Sequence, residues 1–353
     1  MGSASQRLIL IAHNDLDGEA SAAAYLRIAS ADLAGSLVFF AEPYNLHETM
    51  EEVRGAASKG DKVVIMDIGF NNDSTPKALS ILSELVSRGV AVEWYDHHVW
   101  DKEEVELVTK SGVKLFVDRS TCGAGVVVHY ASKVYGVQPD DFLLRLESAV
   151  CSADLWTWQD PLAPKLVRAA NSMAEPTRQP WRLRLIEKLR SGVLWDEELE
   201  SRLKTYLAAE LRNSAGDLST MSVFEEGGCR VAAVLRRLEP PSDSIIGSMV
   251  TSRSNANVSV MIKRRGFGRV SLSLRSRGSA NVQVIAKSLG GGGHPKASGA
   301  SLRVNALIYL LSYLAPRLLT GHVSRKVAEI AIRLGACKGD QGVGVGPEEV
   351  YTY

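Results

Sequence analysis

The sequence has few cysteines, no long apolar run and, over one long stretch, no acidic residue. Cys122, Cys151, Cys229 and Cys337 stand far apart without a CxxC pair. That disfavours a zinc cluster or a small disulfide scaffold and fits a reducing, cytoplasmic setting. The longest apolar stretches, residues 8–12 and 306–316, fall short of the ~18–20 residues that span a bilayer. The opening MGSASQ has no charged segment ahead of an apolar core, and Gln6 breaks the myristoylation pattern. A soluble intracellular protein with no membrane partner is expected. From Ser244 through Ala328 there is no Asp or Glu against 13 Lys and Arg.

The formal charge of +1 over 353 residues therefore conceals two opposed regions. Residues 1–243 carry 26 basic and 36 acidic side chains, and residues 329–353 carry two and four. The length suits two or three domains, and the 45% apolar fraction supplies a core for each. Apolar runs at 8–12, 37–40, 63–66, 90–95 and 113–117 alternate with helix-period segments such as 20–31 and 76–88. This pattern predicts an α/β fold with a mostly parallel sheet and helices on both faces. Ligands of such sheets collect outside the carboxyl ends of the strands. Four prolines, Pro161, Pro164, Pro176 and Pro180, mark a hinge followed by charged helices to about residue 215. A smaller α/β lobe is expected over 216–320, with strands near 230–235, 258–262 and 269–274 and a helix near 281–289. Residues 321–353 read as a C-terminal tail, loosely held after Gly335.

Three of the expected strands end in acidic residues, two of them with histidine. The first runs into His13-Asn14-Asp15-Leu16-Asp17-Gly18, another ends at Asp67-Ile68-Gly69, and a third ends at Asp96-His97-His98. Asp154 follows a helix expected at 140–150, with Asp160 close behind. One Asp after a strand is usually a cap or turn former, but parallel strands bring several of these ends to one rim. Crowded carboxylates raise one another's pKa unless cations intervene. Oxygen ligands with a minority of imidazoles suit Mn²⁺ or Mg²⁺ better than structural zinc.

H-N-D-L-D-G, D-I-G and D-H-H in this order, with a later Asp, resemble the DHH phosphoesterase family of dinuclear phosphohydrolases, which are usually manganese-dependent. The resemblance implies two Mn²⁺, with Mg²⁺ as the other candidate. His13 and Asp15 would hold one ion, Asp17, His97 and Asp154 the other, and Asp67 would bridge them. Asp96 would orient a neighbouring histidine, and His98 would face the scissile phosphate. The segment Ser271-Leu272-Ser273-Leu274-Arg275-Ser276-Arg277 with Gly290 to His294 resembles the family's associated C-terminal domain, and implies substrate binding by Arg275, Arg277, Gly292, Gly293 and His294. Glycines let backbone amides approach phosphate closely, and arginine adds a fork of donors.

The resemblance implies a phosphodiesterase that cuts short RNA or DNA oligonucleotides or linear dinucleotides to mononucleotides by attack of metal-bound hydroxide. A RecJ-like single-strand exonuclease is the alternative, although no OB-fold module of the kind bacterial RecJ adds is evident. A non-catalytic nucleotide-binding module would have lost ligands, and none is missing. A homodimer is compatible with the pattern. Thr121 and Gly123 resemble the family's Ser-Thr segment, as phosphate positioner or helix cap. Trp156 and Trp158 read as core or as a base-stacking wall, and His129 as a residue without function. Residues 263–269 read as a solvated hairpin or as a guide for a nucleic-acid backbone, with Phe267 available for stacking.

Overall fold

Short β-branched and aromatic runs become five parallel strands: β1 (Leu8–His13), β2 (Leu37–Ala41), β3 (Lys62–Met66), β4 (Ala91–Asp96) and β5 (Lys114–Val117). Their order is β5-β4-β3-β1-β2, with the antiparallel two-residue strand Tyr351–Thr352 beyond β5. This computed structural model describes residues 6–172, 178–337 and 351–352. Pro176 and residues 338–350 of the expected tail lie outside them. The chain divides into one unit of residues 1–204 with 347–353 and a second of residues 205–346.

Successive side chains of a strand point to opposite faces, and both faces of the first sheet are covered. Leu8, Leu10, Ala12, Val64, Met66 and Tyr95 pack against α1 (Leu16–Ile28), α5 (Gly123–Val126), α7 (Asp141–Asp154), α8 (Ala163–Ala170) and α9 (Arg178–Arg190). Ile9, Ile11, Val63, Ile65, Val92 and Trp94 pack against α2 (Leu46–Ala56), α3 (Thr75–Ser87) and α4 (Lys102–Lys110). A π-helical turn, Val127–Ala131, joins α5 to the short α6 (Ser132–Tyr135). This is the expected helix-clad parallel sheet.

The segment 161–215, expected as a hinge and linking helices, supplies α8 and α9 to the first unit. Trp181, Leu185, Ile186 and Leu189 of α9 sit in the core of the first unit, and Arg182 forms a buried ion pair with Glu19 of α1 at 3.3 Å. The division falls inside α10 (Glu197–Leu218).

The second unit holds β6 (Ser222–Glu226), β7 (Cys229–Leu235), β8 (Val258–Arg264), β9 (Arg269–Ser276), β10 (Gly292–Gly293) and β11 (Ala297–Arg303), in the order β10-β11-β9-β8-β7-β6. Only β7 and β8 run parallel. The β6–β7 hairpin turns at Gly227 and Gly228, both at positive φ, as two-residue hairpin turns require. One face carries α11 (Asp243–Ser254). The other carries α12 (Val282–Ser288), α13 (Ala306–Leu311) and α14 (Pro316–Arg333). Residues 321–333 are thus not tail, because Leu319, Val323, Val327 and Ile330 recur at helical spacing and pack on this sheet.

The four cysteines, whose wide spacing fits a reducing setting on sequence alone, are paired in the structure. Cys122 is bonded to Cys151 and Cys229 to Cys337, with Cα–Cα separations of 5.1 and 5.4 Å. Separations of 29 and 108 residues hide both pairs in the sequence. Packing of α5 on α7 makes the first, and return of the chain past α14 to β7 makes the second. Among the described residues, no helix is long and apolar enough to cross a membrane.

Candidate metal centre

Because β1, β3 and β4 run parallel, their last residues share one edge of the sheet. At the end of β1 the chain turns sharply into α1. Asp15 caps that helix by accepting from the Gly18 amide at 3.1 Å. Only glycine fits at position 18, since a Cβ there would lie 2.3 Å from the His13 carbonyl oxygen. Asp17, buried in the first turn of α1, accepts from the amides of Gly123 at 2.7 Å and Ala124 at 2.8 Å at the start of α5. Asp67 follows β3 at φ +59°, a left-handed conformation that costs a non-glycine residue about 1–3 kcal/mol. Its amide donates to the Tyr95 carbonyl at 2.9 Å, which ties that turn to β4.

These turns bring six side chains together. His13 Nδ1 lies 2.9 Å from Asp15 and 3.5 Å from Asp67. His97 Nε2 lies 3.2 Å from Asp67, 3.6 Å from Asp154 and 3.9 Å from Asp17. Three groups could each hold a metal ion, His13 with Asp15 and Asp67, Asp17 with His97 and Asp154, and Asp67 with His97 and His98. Asp67 places one carboxylate oxygen toward His13 and the other toward His97. Asp154 is the last residue of α7, which runs four residues beyond the expected end. Asp160 is committed elsewhere, to Arg145 and Ser148. Asp96 is fully buried and takes His98 Nδ1 at 2.8 Å and Trp100 Nε1 at 2.5 Å.

The electrostatics describe a site short of positive charge. Burial, then repulsion by Asp67 and Asp154, holds the Asp17 carboxyl well above the usual range. Burial raises Asp154 to about 7, with Asp67 and Asp15 adding to the rise and His97 opposing it. Burial disfavours a charged His97, yet Asp67, Asp17 and Asp154 outweigh it and push the imidazole up to about 11. His13 is likewise raised, against burial, by Asp15, Asp67 and Glu42. The carboxylates that raise both imidazoles are the same ones that a bound cation would neutralise. A donor set of carboxylate oxygens and imidazoles without thiolate fits hard divalent ions.

Sequence reasoning missed Glu42. It follows β2 on the same edge and lies 3.2 Å from His13 Nε2, the ring nitrogen turned away from Asp15. Its signal was present, because β2 is a fourth strand with an acidic residue just past its end. Thr121 is buried and contacts Glu147 at 3.4 Å, whereas Gly123 donates to Asp17 and leaves no room for a Cβ beside Asp67. His129 pairs with Glu147 at 2.8 Å on the surface. Trp156 and Trp158 are surface residues, 39% and 37% exposed, with ring centroids 4.5 Å apart and positive φ at both.

In the second unit, β11 pairs with both β10 and β9, which brings Gly292, Gly293 and the Arg275 backbone to one end of that sheet. A Cβ on Gly293 would lie 2.7 Å from the Ala297 carbonyl oxygen, so this close crossing requires glycine. Gly292, Gly293, His294 and Arg277 are exposed. The Arg275 guanidinium turns under α11, donating to Ser244 and Ser273 hydroxyls at 3.0 Å.

Residues 231–315 match the DHHA1 domain. No curated protein matches the chain in sequence. Among solved structures the chain is similar to RecJ of Thermus thermophilus in complex with Mn²⁺, at 16% identity and a TM-score of 0.59, over 90% of this chain and 52% of that one. It is similar to PggH, a pGpG-specific phosphodiesterase of Vibrio cholerae, at 14% identity and a TM-score of 0.53, over 89% and 99% of the two chains. An exopolyphosphatase-related protein of Bacteroides fragilis gives 14% identity and a TM-score of 0.55, over 93% of each chain. These likenesses show the fold. Residues 231–315 are thus a DHHA1 domain, and the parallel sheet that precedes them carries H-N-D-L-D-G, D-I-G and D-H-H at its strand ends, the motifs by which the chain resembles the DHH phosphoesterase family.

Proposed function

We propose that the protein is a divalent-metal-dependent phosphodiesterase that hydrolyses short oligonucleotides or linear dinucleotides to mononucleotides. The observation that carries this reading is the position of Asp67, within 3.5 Å of His13 on one side and 3.2 Å of His97 on the other. A carboxylate so placed joins two ligand groups into the arrangement that suits a pair of ions. Two Mn²⁺ held by His13, Asp15, Asp17, Asp67, His97 and Asp154 would supply Lewis acidity to a phosphoryl oxygen and lower the pKa of water.

The protein's own side chains do the positioning. Asp96 engages His98 Nδ1 and so sets the ring plane, which leaves the other nitrogen for a phosphate oxygen. Gly123 and Ala124 hold both oxygens of Asp17 through their amides. In the DHHA1 unit, the exposed Gly292, Gly293, His294 and Arg277 would bind a substrate phosphate, whereas Arg275, engaged by Ser244 and Ser273, would brace the end of β9. Trp156 and Trp158, paired and exposed just past Asp154, form a wall for a substrate base. Base–aromatic stacking is worth about 1–3 kcal/mol per base. Replacing both tryptophans with alanine should therefore raise KM for a dinucleotide about 5- to 150-fold with little change in kcat. An unchanged KM would remove the wall from this reading.

The substrate class is tested with Mn²⁺-loaded protein and end-labelled RNA and DNA of two, five and twenty-four nucleotides. Conversion of the two shorter substrates to mononucleotides, with the longest degraded slowly, is the expected result. Rapid processive loss of the twenty-four-nucleotide strand would assign a RecJ-like exonuclease instead. No cleavage of any substrate by protein that demonstrably binds Mn²⁺ would overturn the enzyme reading.

A further inference from the structure

A cationic cavity opens in the DHHA1 unit, away from the glycine-rich element. It measures about 560 Å³ and is lined by Arg236, Arg237, Lys263, Arg264 and Arg265 with a single carboxylate, Glu239. Arg236 and Arg237 follow the end of β7, and Lys263 to Arg265 close β8 and enter its turn to β9. The register fixes its place. Arg264 pairs with Val270 at one end of β9, whereas Arg275, at the other end, pairs with Ala297 beside Gly293. Six residues of extended strand separate the backbones of Arg269 and Arg275, about 20 Å.

The cations are not equivalent. Arg236 is buried and spent on Asp217 and Asp243, and Lys263 on Glu239 at 2.6 Å and Asp243 at 3.3 Å. Among the described residues, Arg237, Arg264 and Arg265 have no carboxylate partner within ion-pair distance. Arg264 donates to Ser312 and lies 4.1 Å over the ring of Tyr313. Tyr313 meets Tyr309 edge-on at 5.8 Å, and Tyr309 meets Phe267 at the same distance. Phe267 and Tyr313 are 68% and 59% exposed. Gly266 and Gly268, both at positive φ, form the turn that holds Phe267 outward. Uncompensated arginines beside outward aromatic rings are the combination that binds single strands, with phosphates on the cations and bases on the rings.

We propose that this cavity, with Phe267 and Tyr313, is a binding site for single-stranded nucleic acid, distinct from the glycine-rich phosphate element. Strand binding here is separate from bond cleavage, so it is measured on the full chain in EDTA. The readout is fluorescence anisotropy of twenty-four-nucleotide RNA and DNA over a range of salt. Removing one phosphate-binding cation takes about 0.7 off the slope of log affinity against log salt. Arg237→Ala with Arg265→Ala should lower that slope by about 1.4 and weaken binding at least tenfold, with circular dichroism unchanged. Phe267→Ala should weaken binding about fivefold or more with the slope unchanged. Hydrolysis of a dinucleotide by the Mn²⁺-loaded variants should match that of the original protein. Retention of affinity and salt slope in the double arginine variant would overturn the proposal. So would polyglutamate of equal charge binding as tightly as the strands and responding equally to Phe267→Ala, since the surface would then serve an acidic peptide. Comparison of the RNA and DNA arms shows which strand it prefers.

Discussion

Replacing Asp67 with asparagine is expected to cut hydrolysis by more than the 10- to 100-fold that loss of a partner outside the ligand shell typically costs. Asparagine keeps the shape of the side chain and tolerates the left-handed φ of +59° at this position. The change therefore removes charge with little disturbance of the turn. Asp67→Ala should lose as much activity, with an added folding cost from that conformation. What disappears is the carboxylate that faces His13 and His97 together. Thermal unfolding with and without Mn²⁺ separates this effect from misfolding. A ligand at 100 times its Kd stabilises the folded state by about 2.7 kcal/mol. The original protein should show that gain, and the asparagine variant should melt near the metal-free original while gaining little from Mn²⁺. Full activity in the variant, or an unchanged response to Mn²⁺, would rule out a shared carboxylate.

Gly123→Ala should do comparable damage although it removes no functional group. A Cβ at this position would lie 2.7 and 2.9 Å from Cβ and Cγ of Asp67 and 3.0 Å from an Asp17 oxygen. Neither carboxylate can yield freely. Asp67 is held in a strained turn, and Asp17 is anchored by the Gly123 amide itself. The added methyl group must displace one of them, so Mn²⁺ affinity and turnover should both fall by about 100-fold. Overpacking should lower stability by about 1–3 kcal/mol. Gly55→Ala serves as the control. It lies in α2 with nothing within 4 Å of its Cβ, and the same substitution there should stabilise by about 0.5–1 kcal/mol. Mn²⁺ titration and thermal melts of the two variants should move in opposite directions. A Gly123→Ala protein with ordinary Mn²⁺ affinity would show that the carboxylates are freer than their contacts imply.

Much of the first unit was legible because a two-sided parallel sheet needs short continuous apolar strands, and its chemistry sits where those strands end. His13, Asp15, Asp17, Asp67, Asp96, His97 and His98 all stood out for that reason. Glu42 carried the same signal after β2 and was overlooked because no histidine or glycine accompanied it. The sequence reading lacks β6, whose Ser222–Glu226 is largely polar, and places residues 321–333 in the tail although they continue α14. The tryptophan pair was ambiguous, since an i,i+2 spacing does not say which way either ring points.

The sequence by itself determined the alternation of strands and helices in the first unit, the charge division and most of the candidate ligands, because local periodicity and residue type carry that information. Only the tertiary structure decided which groups meet. It put Asp67 between two histidines, chose Asp154 over Asp160, placed Gly123 against the carboxylates and paired cysteines 29 and 108 residues apart. It also set the cationic cavity and the glycine-rich element at opposite ends of β9. The reason is physical: contacts between distant residues follow from how strands register and helices pack, and neither is written in the spacing of residues along one chain.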